Sequence, residues 1–167
     1  MDESLLRTGK EITDSYIEHA NTVYRVALTL LNSVPEAEDA TQTAFIRLMT
    51  SEKTFDSDEH LKAWLIVTTR NICRDFLKSW WRTKRVALET IAEQESLPET
   101  LECSEVWKAV SSLDEKYKLP MYLHYYEGYK TEEIARMLGV NHATIRTRLR
   151  TARVKLRLII EEGEYAY

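Results

Sequence analysis

Apolar residues recur every three to four positions along most of this chain, and the recurrence changes phase at a few punctuation points. Between residues 131 and 157 the run TEEIARMLGVNHATIRTRLRTARVKLR predicts two helices around a Leu138-Gly139-Val140 turn. In the second helix Ile145, Leu149, Ala152, Leu156 and Ile159 fall on one face, and Arg146, Arg150, Arg153 and Arg157 form a stripe one residue over. The first set can pack on a core while the second faces outward. That is the pattern of a helix-turn-helix whose second helix is armed for a phosphate-lined groove. Thr131 is expected to cap the first helix, with Glu132 and Glu133 at the positive end of its dipole. Gly139 supplies the left-handed stop and Asn141 the second cap. A helical hairpin with a solvated basic face is the plainer alternative. Residues 141–158 hold six cationic residues and no acidic one, which such a face seldom shows.

Upstream, the same period predicts a helix from about Ile12 to Asn32, with Tyr16, Ala20, Val23, Ala27 and Leu30 on its apolar face. Ser33-Val34-Pro35-Glu36 reads as the start of a second, with Ser33 as cap and Glu36 closing a capping box. Ala37, Ala40, Ala44, Leu48 and either Phe45 or Ile46 would be buried there. Residues 51–58, SEKTFDSD, read as a loop. A long third helix follows from about Asp58 to Arg82, with Leu61, Leu65, Thr68, Ile72 and Phe76 inward. Arg70, Arg74, Lys78 and Arg82 lie opposite at four-residue steps. Two more helices are expected at 100–111 and 114–127, the second broken or restarted by Pro120. The fold class is therefore all-α, with two small helical domains at 1–84 and 100–167 joined by a linker at 85–99.

Composition sharpens this. With 167 residues, 44% hydrophobic, and only 4 Gly and 3 Pro, the chain has core material and few breakers. Its net charge of −4 excludes a uniformly basic nucleic-acid coat, but the charge is segregated. Residues 1–61 carry a net −7, 62–85 a net +6, 86–116 a net −6 and 117–167 a net +3. Two basic elements separated by acidic ones point to different partners for the two signs. No stretch approaches the roughly 18 apolar residues of a membrane span, and the start of the chain lacks a signal-peptide pattern. Cys73 and Cys103 have no metal-type spacing, and reduced thiols in a cytoplasmic protein are expected.

Three stretches together resemble the extracytoplasmic-function (ECF) sigma factors, small two-domain bacterial factors that direct core RNA polymerase to promoters. Residues 36–48, EAEDATQTAFIRL, are similar to the family's polymerase-binding helix. Residues 60–82, HLKAWLIVTTRNICRDFLKSWWR, are similar to its helix for −10 recognition and promoter opening. Residues 113–157, from LDEKYKLPMYLHYYEGY through the helix-turn-helix, are similar to its −35-reading domain. They follow in the family's order, with a linker in the family's place. Thr43, Val67 and Thr151 depart from residues the family often carries, Glu at the first and Arg at the other two.

The resemblance implies a region 2-like domain at 1–84 and a region 4-like domain at 100–167. Contacts to the −35 element would come from His142, Thr144, Arg146, Thr147, Arg148 and Arg150. Of these, His142, Arg146, Thr147 and Arg150 are placed to meet base edges, while Arg148, with Arg153 and Lys155, would meet phosphate or solvent. Contacts to the −10 element would come from Phe55, Lys62, Arg70, Asn71, Arg74 and Lys78. The loop at Lys53–Glu59 would line a base pocket with Asn71, which could equally be a plain surface residue. Trp64 and Phe76 are expected in the core; of Trp80 and Trp81, one packed and one exposed. Asp39, Gln42, Phe45 and Arg47 would bind polymerase, although from pattern alone this helix is a solvated amphipathic one. The partners implied are core RNA polymerase, through its β′ clamp helices and β flap, promoter DNA and an anti-sigma factor. No cofactor and no membrane insertion are implied.

Catalysis finds no support. His19, His60, His124 and His142 have no partner at metal-ligand spacing, and no phosphate-cradling glycine loop or nucleophile motif is present. A stand-alone helix-turn-helix regulator is the rival reading, but it has no use for the long cationic helix ending in Trp80-Trp81-Arg82. A recombinase would need a nucleophile setting that Ser4, Ser15 and Ser33 lack.

Overall fold

The structure, a computed structural model, describes residues 7–86 and 105–164. They form two compact units, one N-terminal and one C-terminal. The linker expected at 85–99 lies outside the described residues, except that Arg85 and Val86 end a helix. Among the described residues every regular element is helical.

The first unit packs α1 (Gly9–Leu31), α2 (Val34–Thr50) and α3 (Asp58–Val86) against one another. Helix α1 begins three residues before the expected Ile12 because Thr8 and Glu11 form a capping box. The Glu11 N–H donates to Thr8 Oγ1 at 3.3 Å and the Thr8 N–H to Glu11 Oε2 at 2.8 Å. It ends at Asn32, whose left-handed φ of 53° is one this residue type tolerates. Ser33 occupies the cap position of α2 but its hydroxyl makes no capping bond, so Pro35 carries the start there. The start of α3 is capped by Ser57, whose hydroxyl accepts from the His60 N–H at 3.1 Å.

The core of this unit gathers Val23, Val26, Ala27 and Leu28 from α1, Ala37, Ala44, Phe45 and Leu48 from α2, and Leu65, Ile66 and Cys73 from α3. Thr29, Thr41 and Thr69 are buried with them because each hydroxyl donates to the carbonyl one turn back, at 2.7 Å. The choice left open on α2 falls to Phe45, at 4% exposed; Ile46 is 56% exposed. Phe76, expected in the core, is partly exposed.

The second unit holds α4 (Glu105–Ser111), α5 (Glu115–Met121), a π turn (Tyr122–Tyr126), α6 (Thr131–Leu138) and α7 (His142–Glu164). Pro120 cannot donate to the Lys116 carbonyl, and the α-helix expected to break or restart here ends at Met121. The helix widens just after it into the π turn, where Tyr122 and Tyr126 stack with centroids 5.2 Å apart. Leu119, Leu123, Ile134, Leu138, Ile145, Leu149 and Ala152 close the core. The predicted apolar face of α7 is buried only as far as Ala152. Leu156 is half-buried and Ile159 exposed, because α7 outruns the helices beneath it.

Candidate nucleic-acid interfaces

The turn between α6 and α7 is built by local chemistry. Gly139 takes φ 66°, and the Val140 N–H returns to the Ala135 carbonyl at 3.0 Å. Asn141 then caps α7, its Oδ1 accepting from the Ala143 N–H at 2.9 Å. At the start of α6 the cap is Lys130, whose N–H donates to Glu133 Oε2 at 2.7 Å. Thr131, expected as that cap, is the first helical residue. Its hydroxyl lies 2.7 Å from His142 Nε2, and Glu132 Oε1 lies 3.7 Å from the same nitrogen. Hydrogen bonding to its own backbone amide holds the Glu132 carboxyl below its ordinary 4.5; burial opposes this, and the charges of His142 and Lys130 add smaller lowering effects.

These ties set α7 beside a shallow concavity. Arg146, Thr147, Arg150 and Arg153 line it from α7, His124 from the π turn and Thr131 from α6. Arg146, Thr147 and Arg150 are exposed and lie together. Thr144 and Arg148 are not with them. Residues on a helix turn by about 100° each, so both stand about 160° round from Arg146, where each is half-buried. His142 is half-buried and engaged with α6 rather than free at the groove. Tyr125 and His124 were missed here. Arg153 Nη1 donates to the Tyr125 hydroxyl at 2.8 Å, and His124 Nδ1 donates to the Tyr129 carbonyl at 2.8 Å. The polar and aromatic run HYYEGY was the sequence signal, but its placement depends on the π turn.

In the first unit, Arg74, Lys78 and Arg82 are exposed along α3, Arg70 and Lys62 are half-buried, and Asn71 is exposed beside Arg70. Trp81 is 61% exposed on the same side, with Trp80 edge-on to it at 5.0 Å and half-buried. Phe55 is half-buried in a ring cluster, with His60 at 5.3 Å and Trp64 at 5.5 Å, and the Arg7 guanidinium 4.9 Å from its centroid. Trp64, expected in the core, is half-buried at this cluster.

On α2, Asp39, Gln42 and Arg47 are exposed, as are Ile46 and Met49. Phe45 is buried, edge-on against Tyr16 at 4.9 Å. Beside this face a groove between α1 and α2 is lined by Tyr16, Tyr24, Glu38 and Gln42. Burial, with the Glu38 charge, pushes the Tyr24 hydroxyl above its ordinary value. Among the described residues no three His, Cys, Asp or Glu side chains gather as metal ligands, and no helix is long and apolar enough to cross a membrane.

The Sigma-70 region 2 profile matches residues 16–83, and the Sigma-70 region 4 profile matches residues 103–156. The ECF RNA polymerase sigma factor SigL of Mycobacterium tuberculosis is 30% identical over 157 residues, which span 88% of this chain and 87% of that one. The fold is shared with the sigma factor RpoE of Bartonella quintana, solved with the anti-sigma factor NepR, at TM-score 0.78 and 20% identity over 91% of this chain and 98% of that one. It is shared also with CnrH, solved with the cytosolic domain of CnrY, at TM-score 0.69 and 21% identity over 93% and 90%. With a region 2 match on the unit that carries the cationic α3 and a region 4 match on the helix-turn-helix, the chain belongs to the ECF RNA polymerase sigma factors, non-catalytic initiation factors that direct core RNA polymerase to promoters.

Proposed function

We propose that the two units divide promoter recognition between them, and that the concave face of the second reads the −35 element. The observation that carries this is the convergence of Arg146, Thr147 and Arg150 on one exposed concavity with Arg153 at its edge. Arg146 and Arg150 can pair bidentately with guanine edges, and Arg153, oriented by Tyr125, suits a phosphate. Thr144, Arg148 and His142 have lesser parts in this arrangement: the first two face away, and His142 fixes the start of α7.

In the first unit, Arg70, Asn71, Arg74 and Lys78 on α3, with Lys62 and the loop carrying Phe55, form the −10 interface. Cations hold the backbone of the opened strand while aromatic faces and the loop receive unpaired bases. Asp39, Gln42 and Arg47, joined by the exposed Ile46, meet the β′ clamp helices of polymerase. The second unit meets the β flap. An anti-sigma factor is the further partner, supported by the structural relative RpoE, solved with the anti-sigma factor NepR. The protein works in the cytoplasm, where its polymerase is, and has no enzymatic activity of its own.

Size-exclusion co-elution with purified core RNA polymerase tests the reading, with an Asp39→Ala/Gln42→Ala variant alongside. Stoichiometric co-elution that the variant loses supports the assignment. Undiminished co-elution of the variant removes the α2 face from it.

A further inference from the structure

Arg7 and His19 have no part in the contacts proposed above, yet both end on the loop between α2 and α3. Arg7 Nη1 donates to the carbonyls of Leu48 and Ser51, each at 2.9 Å, and Nη2 donates to the carbonyl of Lys53. These carbonyls lie at and just past the C-terminus of α2, where helical partners run out and a cation is favoured. The same guanidinium covers the Phe55 ring. At the other end of the loop His19, 3% exposed on α1, donates from Nε2 to Asp58 Oδ1 at 2.7 Å. Asp58 is the first residue of α3. One helix and the residues just before it therefore grip both ends of residues 51–57. Arg7 lies outside the 16–83 span that the region 2 profile matches.

We propose that Arg7 and His19 are positioning residues that hold the 51–57 loop in its base-receiving shape before DNA arrives. The inference rests on the reading of that loop, with Asn71, as the −10 pocket. A loop ordered in advance spares the base-capture step the entropy of ordering it. A planar guanidinium presents its N–H donors in a fixed, widely spread fork while its face covers a ring, a geometry that a compact ammonium on a flexible stem matches less well.

The test uses the full chain as Arg7→Ala, Arg7→Lys, His19→Leu and His19→Gln, the last keeping an N–H donor where Nε2 stands. Each is assembled with core RNA polymerase and presented with a duplex DNA library randomised across the −35 and −10 windows. In parallel, amide exchange is followed at residues 51–57 of the free protein. Arg7→Ala is expected to exchange faster there and to lose about tenfold in enrichment at the −10 window. Its −35 preference and co-elution with polymerase stay as in the wild type. Arg7→Lys falls between the two, and His19→Gln recovers what His19→Leu loses. Unchanged exchange in Arg7→Ala would overturn the clamp itself. Faster exchange with an unchanged −10 preference would leave the clamp standing and overturn the loop's place in the −10 pocket. Equal loss at both windows would overturn the positioning role, because the variant would then have disturbed more than the loop.

Discussion

His142 Nε2 sits 2.7 Å from the Thr131 hydroxyl, so the first residue of α7 is tied to the first residue of α6. The two helices of the turn are thus fixed by a side-chain bond at their starts as well as by the core beneath them. Thr131→Val keeps the shape of the side chain and removes the bond. It is expected to cost about 1 kcal/mol of stability, read as a fall in the thermal midpoint. The −35 affinity falls with it only a few-fold, because Arg146 and Arg150 remain in place.

Gly139 gives a cleaner test of the turn. Nothing lies within 4 Å of where a Cβ would stand, yet its φ is +66°. Gly139→Ala meets no clash, so the cost is the backbone conformation alone, about 1–2 kcal/mol. Gly139→Asn is expected to cost less, and denaturant unfolding of the two variants orders them. Equal stability of Gly139→Ala and the wild type would show that the turn relaxes freely.

Arg146 and Arg153 separate reading from holding. Arg146→Ala should lose about 1–3 kcal/mol of discrimination at one −35 position while co-elution with polymerase persists. Arg153→Ala should weaken all −35 sequences alike and lower the salt slope by about 1. Titrations at several salt concentrations, on the selected −35 duplex and on single-base variants of it, distinguish the two. A uniform loss in Arg146→Ala would move that residue to the phosphates.

Two carboxylates give the fold an acid limb. Glu132 is held below its ordinary 4.5 by its own backbone amide first and by His142 and Lys130 after it. Glu11 is held below the same value by the backbone and then the hydroxyl of Thr8. Since the folded value lies below the unfolded one, each contributes stability that is fully present above pH 4.5 and is lost as pH falls through the lowered folded value. Glu132→Gln and Glu11→Gln are expected to flatten the decline of the thermal midpoint below pH 4.5 and to leave its pH dependence above that unchanged. An undiminished acid limb in the double variant would place its source elsewhere.

The fold and the family were legible in the residues because they are written locally. The 3.6-residue period fixed which face of each helix is apolar, and Gly139 and Asn141 fixed the turn. The cationic stripes on α3 and α7 needed only helical spacing to be recognised. What the sequence could not decide was anything that depends on a neighbouring element. Phe45 and Ile46 are adjacent and both apolar, and only the packing of α1 against α2 buries the first and exposes the second. Thr131 looked like a cap until α7 brought His142 to its hydroxyl, eleven residues on. Arg148 and Arg150 are the same residue type two positions apart, and the core decides that only Arg150 faces the concavity. Arg7 left no local trace, because the carbonyls it serves lie more than forty residues away and are backbone atoms that every residue carries.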